Sequence, residues 1–224
     1  MDELELPNGM NINYIDKVTA LYCYREIFDD EVYTTRGITI RDGDVIFDIG
    51  ANIGLFSLFV SSPKNPWENV DVYAFEPVPQ IFEVLKANRD GKDSVKKLFK
   101  VGLGEKESEI EFNYYPRCSA DSTATPFDWD LKIRKYVENY KERVCRDMPI
   151  ARLVPKFLRK WVVTKALKRI YEPQKVQCKI VPLSNVIDQL DLTEIHLMKV
   201  DAENAEREVF AGIRNEHWEI IKQV

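Results

Sequence analysis

The sequence predicts an α/β domain built on a doubly wound parallel sheet, and three observations predict it. Short apolar runs of strand length alternate with helical stretches, the pattern of right-handed βαβ units. A turn with two glycines, Gly50-Ala51-Asn52-Ile53-Gly54, follows the first run without a break. After the third run, one long charged stretch with helical periodicity interrupts the alternation.

Residues from about Asn11 to Ile38 read as an amphipathic helix and a turn, with Ile15, Val18, Leu21, Tyr22 and Phe28 at apolar positions. Arg41-Asp42-Gly43-Asp44 is a turn that launches Val45-Ile46-Phe47-Asp48-Ile49, a run suited to a strand buried on both faces. Leu55–Ser62 reads as helix, Val70–Phe75 as the second strand, Ile81–Asn88 as helix and Leu98–Val101 as the third strand. Glu109–Tyr115 is a short alternating strand. Asp128–Tyr171, flanked by Pro126 and Pro173, reads as inserted helices. The core then resumes with a helix at Val186–Leu190, a strand at Ile195–Val200 and a helix at Glu206–Ile213. A further strand begins at Glu219. The expected layout is an N-terminal helical cover over 1–40 and a core over 41–224, with 116–179 inserted as a basic lid.

Charge is distributed unevenly. The 224 residues carry a net charge of −5, yet 128–179 alone carries +9 and leaves −14 on the rest. The acidic N-terminus lacks the basic and apolar regions of a signal peptide, and no apolar run approaches a membrane span. Cys23, Cys118, Cys145 and Cys178 are scattered and form no metal-ligand spacing. Free thiols and a cytoplasmic location are expected. No nucleic-acid partner is expected, because the chain is acidic overall and its basic segment lacks a nucleic-acid motif, and no membrane partner is expected, because no apolar run is long enough to span one.

The chemistry concentrates at strand ends. Gly50 permits a sharp turn off the first strand and Gly54 permits close helix packing, so amides at that helix N-terminus are expected to face a ligand. Asp48 is placed to pair with a cationic group. A dinucleotide fingerprint would need glycines at 50, 52 and 55, and this chain has Asn52 and Leu55. Glu76 ends the second strand about twenty residues on, where a ribose-binding carboxylate sits in this architecture.

Asp-Ile-Gly-Ala-Asn-Ile-Gly (48–54), Ala-Phe-Glu-Pro (74–77) and Lys-Val-Asp-Ala-Glu-Asn-Ala-Glu (199–206) together resemble the FkbM-type S-adenosylmethionine-dependent methyltransferases. Tyr24–Tyr33 further resembles members from bacterial polyketide and peptide assembly lines. The resemblance implies a class I, Rossmann-like methyltransferase core that binds S-adenosyl-L-methionine and releases S-adenosyl-L-homocysteine. It implies that Asp48, Gly50, Ala51, Asn52 and Gly54 lie at the methionine part, Glu76 and Pro77 at the ribose, and Val101, Gly102 and Leu103 beside the adenine. It also implies O-methylation of a small-molecule or carrier-bound acceptor, with N-methylation or a silent binding module as alternatives. Where the family usually has Gly, this chain has Asn204, which also tolerates a left-handed backbone. The family fold continues beyond the fifth strand, so C-terminal strands are expected to be missing at Val224, with self-association through the strand-five edge.

Asp201 and Glu203 end the fourth strand on the ligand edge. They can act as a base, hold the cofactor ammonium, ligate a divalent cation, or simply stabilise the following helix. No obligatory metal is expected. His196 and His217 fall near the amino ends of strands, away from that edge. Tyr114, Tyr115, Ser122 and Thr123 are candidates for the acceptor pocket, and Tyr33 for a cover over the cofactor; ordinary packing is the alternative for each. The basic insertion is expected to dock an acidic acyl or peptidyl carrier protein.

Overall fold

The computed structural model describes residues 1–35, 37–89, 94–125, 127–145 and 148–224. Pro126, Arg146 and Asp147, which the sequence reading used for the flank and charge of the insertion, lie outside the described residues.

The N-terminus departs from the expected helix. Asp2–Glu5 (β1) and Asn11–Tyr14 (β2) pair as an antiparallel hairpin, and α1 covers only Lys17–Tyr24. Asp16 caps α1 by accepting from the amides of Val18 and Thr19, and a π-helical turn continues it over Arg25–Asp29. Leu6 and Ile12 are buried and anchor the hairpin in the main core. That apolar demand outweighs the helical reading of 11–14.

The main sheet follows the expected alternation. Val45–Ile49 (β3) leads into α2 (Leu55–Val60), Asp71–Phe75 (β4) into α3 (Pro79–Arg89), and Val95–Phe99 (β5) completes the first half. Later strand Leu197–Val200 (β9) returns to lie on the other side of β3, so the order is β5-β4-β3-β9, all parallel. Chain direction away from β3 therefore reverses between β3 and β9, the place where open α/β sheets bind ligands at their carboxyl ends. Ile46, Phe47, Val72 and Ala74 have no solvent exposure, as strands covered on both faces require.

A second sheet holds Gly102–Leu103 (β6), Ser108–Tyr114 (β7) and Gln174–Val181 (β8) in the order β6-β8-β7. β8 corrects the expected insertion, because residues 174–179 belong to a strand that pairs antiparallel with β7 over seven residues. Between them lie α4 (Trp129–Glu138), α5 (Tyr140–Arg143), a 3-10 turn at Pro149–Leu153 and α6 (Lys156–Ile170). These helices share a separate core built on Ile133, Tyr140, Val163 and Leu167. After β8 come α7 (Leu183–Leu190), α8 (Glu206–Ala211) and α9 (Asn215–Trp218). The strand expected from Glu219 forms only a parallel bridge, Ile195 with Ile221, supported by Lys222 N–H donating to the Ile195 carbonyl at 2.9 Å. No described helix is long and apolar enough to cross a membrane.

Candidate active site

At the end of β3 the backbone of Gly50 has φ +72°, and a Cβ there would stand 1.9 Å from the carbonyl oxygen of Asp201. Only glycine lets this turn pass beneath the end of β9. Gly54 has φ +90°, and a Cβ would stand 2.7 Å from Leu85 of α3. The turn is closed by its own amides: Gly50 and Ala51 donate to the Phe75 carbonyl, and Gly54 to that of Ala51. Asn52 N–H donates to Glu76 Oε2 at 3.0 Å and Ile53 N–H to Asn52 Oδ1 at 2.7 Å. The sequence placed ligand-facing amides at the N-terminus of α2, which begins at Leu55, beyond these five. All five serve the protein, so the turn is poorly suited to a pyrophosphate, which needs free donors.

Asp48 is completely buried. Its carboxylate accepts from Lys199 Nζ at 3.0 Å and from Ser57 Oγ at 2.7 Å. The cationic partner expected for Asp48 is thus Lys199 of this chain, and Asp48 supports the turn from below. Lys199 Nζ also donates to the Gly50 carbonyl at 2.8 Å and lies 4.0 Å from Asp201 Oδ2.

Glu76 is 5 % exposed, with Oε1 accepting from Val78 N–H at 2.9 Å and Oε2 from Asn52. Burial pushes its carboxyl up to about 7, against the pull of those two amides and the Lys199 charge. Two backbone donors leave lone pairs on both oxygens for a further donor such as a diol.

Asp201, Glu203 and Asn204 follow β9. Glu203 has φ +48° and Asn204 φ +74°, so the left-handed turn expected at Asn204 is present and Glu203 shares it. Tyr33 O–H donates to Asp201 Oδ2 at 2.6 Å, which joins the N-terminal segment to the end of β9. Burial and then the Asp201 charge push the Tyr33 phenol upward. Burial, reinforced by the charges of Asp121 and Asp201, raises the Glu203 carboxyl to about 7.

A cleft of about 1330 Å³ opens over these strand ends. Tyr33, Gly50, Ala51, Asn52, Glu76, Pro77, Val101, Gly102, Leu103, Ser122, Thr123, Asp201 and Glu203 all line it. Asp48 and Gly54 lie behind this wall. Tyr114 and Tyr115, expected in the acceptor pocket, are 5 % and 4 % exposed and packed into two different hydrophobic cores, so the cleft lining does not include them. His196 Nδ1 accepts from Val45 N–H at the amino edge of the sheet, and His217 contacts Ser184 and Asp188; neither lines the cleft.

The sequence reading missed the far wall. Lys132 lies 3.7 Å and 3.6 Å from the ring centres of Phe127 and Tyr171 and pairs with Asp121 at 2.9 Å. Thr123 Oγ1 donates to the Glu203 carbonyl at 3.0 Å and ties this wall to β9. The four cysteines are free thiols; burial pushes Cys23 to about 12 and Cys118 to about 11, which suppresses the reactive thiolate in the cleft.

The chain matches the family model described as the methyltransferase FkbM domain over residues 48–223. It is similar to the 31-O-demethyl-FK506 methyltransferase FkbM of Streptomyces tacrolimicus, with 32 % identity over the whole chain and 80 % of that protein. It is also similar to the AMB antimetabolite synthetase AmbE of Pseudomonas aeruginosa, with 31 % identity over 99 % of the chain but only 10 % of that protein. Methyltransferase sdnD of Sordaria araneosa is 30 % identical over 98 % of the chain and 80 % of its own length.

Proposed function

The chain belongs to the FkbM methyltransferase family, and from that membership we propose that it uses S-adenosylmethionine to methylate a hydroxyl oxygen on a small-molecule or carrier-bound acceptor. One observation carries the cofactor assignment. The buried Glu76 carboxylate and a glycine turn with no free amide line one cleft at the sheet's switch point. That combination suits a nucleoside with a ribose diol and no phosphate.

When bound, the cofactor supplies an electrophilic methyl group on a sulfonium. Glu76 accepts from the ribose hydroxyls, while Gly50 allows the close approach. In-line displacement asks the protein mainly for alignment and for management of one proton. Asp201, braced by Tyr33, orients the acceptor hydroxyl, and Glu203 beside it takes the proton. A carboxylate raised to about 7 is matched to that task near neutral pH. The oxygen acceptor is also supported by the name of the Streptomyces relative, which specifies O-methylation for that protein.

The test is incubation of the chain with methyl-labelled S-adenosylmethionine and a panel of hydroxylated acceptors, free and carrier-bound. Label on oxygen with stoichiometric S-adenosylhomocysteine is the expected result. Cofactor binding without turnover on any acceptor would leave a silent binding module, and label on nitrogen would change the acceptor class.

A further inference from the structure

Residues 148–170 contain seven Lys or Arg and no Asp or Glu. The same stretch exposes Met148, Ile150, Leu153, Phe157, Leu158 and Trp161, with Leu153 80 % and Phe157 82 % accessible. These side chains come from the 3-10 turn at Pro149–Leu153 and the first turns of α6, with Met148 just before them. They are not spillover from the helix's core face, because α6 buries Val163 and Leu167 in the insertion's own core. Phe157, Trp161 and Lys165 follow at intervals of four and share one face. The Lys165 ammonium stands 4.8 Å from the centre of the Trp161 ring.

Apolar side chains four-fifths exposed project from the surface and do not line a groove. A folded protein partner would need a separate pocket for each, whereas the boundary between lipid headgroups and acyl chains deforms to admit them. The interleaved cations are complementary to anionic headgroups, and their aliphatic stems let the charges stay at the phosphate level. Because the sequence outside 128–179 carries −14, attraction to anionic headgroups comes from this segment and not from the rest of the chain.

We propose that residues 148–161 are a peripheral anchor that seats the insertion on an anionic bilayer surface. Leu153, Phe157 and Trp161 enter the interface while Arg152, Lys156 and Lys160 meet the lipid phosphates. The sequence expectation of no membrane partner rested on the lack of a spanning run, which a peripheral anchor does not need. The anchor is independent of the methyl-transfer reading.

Co-sedimentation with vesicles tests it, using phosphatidylcholine alone against phosphatidylcholine with roughly one-third phosphatidylglycerol. Wild type is expected to partition about tenfold or more in favour of the anionic vesicles, and less so as salt shortens the screening length. Phe157→Ser/Trp161→Ser and Lys156→Glu/Lys160→Glu are each expected to lose about tenfold in partitioning. Both pairs change exposed side chains, and an unaltered unfolding midpoint checks that they remain folded. Failure of wild type to bind anionic vesicles, or equal binding by folded variants, would overturn the anchor. It is overturned equally if vesicles are ignored while light scattering shows a dimer that Phe157→Ser/Trp161→Ser dissolves, which assigns the face to a second copy. Capture of a purified acidic carrier protein by this face, with vesicles ignored, overturns it in favour of protein docking.

Discussion

Lys199 and Asp48 are cross-strand partners on adjacent parallel strands, and their side chains close a buried ion pair of 3.0 Å beneath the Gly50 turn. One ammonium thus ties β3, β9 and the carbonyl of Gly50 together at the point where the cleft opens. A buried charge deprived of its partner is costly, whereas removal of both charges can be nearly neutral. Lys199→Met is therefore expected to destabilise the fold by about 3–5 kcal/mol. Lys199→Met/Asp48→Leu is expected to recover much of that loss. Urea unfolding of the two variants and wild type measures the difference, and a single-variant loss below about 1 kcal/mol would mean that the pair does not hold the turn.

Gly50→Ala sets a Cβ 1.9 Å from the Asp201 carbonyl at a φ of +72°. Relief requires the β3 turn and the β9 end to separate. A stability loss of at least about 2 kcal/mol is expected, together with loss of cofactor binding. Thermal unfolding and calorimetry report the two effects; a variant that binds normally would show that the turn can relax.

Cofactor affinity should depend on pH through Glu76. Its carboxyl lies at about 7 in the folded chain, and the ionised form is the better acceptor for ribose hydroxyls. Affinity should fall by about tenfold between pH 8 and pH 6, and Glu76→Gln should flatten the profile. Stability runs the other way. A carboxyl raised on folding contributes stability that is complete below its unfolded pKa and is lost as pH rises through about 7. Calorimetric titration across this range checks the first claim, and urea unfolding the second.

Asp201→Asn should lower turnover about a hundredfold while cofactor affinity changes only a few fold. Tyr33→Phe, which removes the 2.6 Å hydrogen bond to Asp201, should move turnover in the same direction by less. His196→Ala and His217→Ala should leave single-turnover chemistry within a few fold, since neither side chain lines the cleft. Single-turnover rates at saturating cofactor separate these cases; collapse of affinity in Asp201→Asn would place Asp201 among the cofactor contacts.

The parallel core was legible because strands covered on both faces read as apolar runs, and because Gly50 and Gly54 mark a turn that no other residue fits. The position of Glu76 just after β4 and in the cleft wall was legible from its distance along the chain. Two regions, β8 and the β1–β2 hairpin, were misread for local reasons. Val176, Cys178 and Ile180 alternate with Gln177 and Lys179 in β8, but the lysines drew that stretch into the basic insertion. The Asn8-Gly9 turn between β1 and β2 carried a hairpin signal that the apolar spacing after it masked. The Lys199–Asp48 pair joins residues 151 positions apart and depends on which strands become neighbours. The Asp121–Lys132 pair and the rings of Phe127 and Tyr171 meet only once the insertion packs, so no spacing announces them.

Tyr114 at the end of β7 and Gln174 at the start of β8 face each other in the ladder, so all of residues 115–173 leaves and returns through a single rung. This has a kinetic consequence. Zipping β7 onto β8 while the intervening chain is still a random coil costs roughly 3–4 kcal/mol of loop-closure entropy. If the helices of the insertion collapse first on Tyr140, Val163 and Leu167, the effective loop shortens and that cost falls. The second sheet should therefore form after the insertion has condensed. Substitutions in that small helical core should slow refolding through β7–β8 pairing, although they touch neither strand.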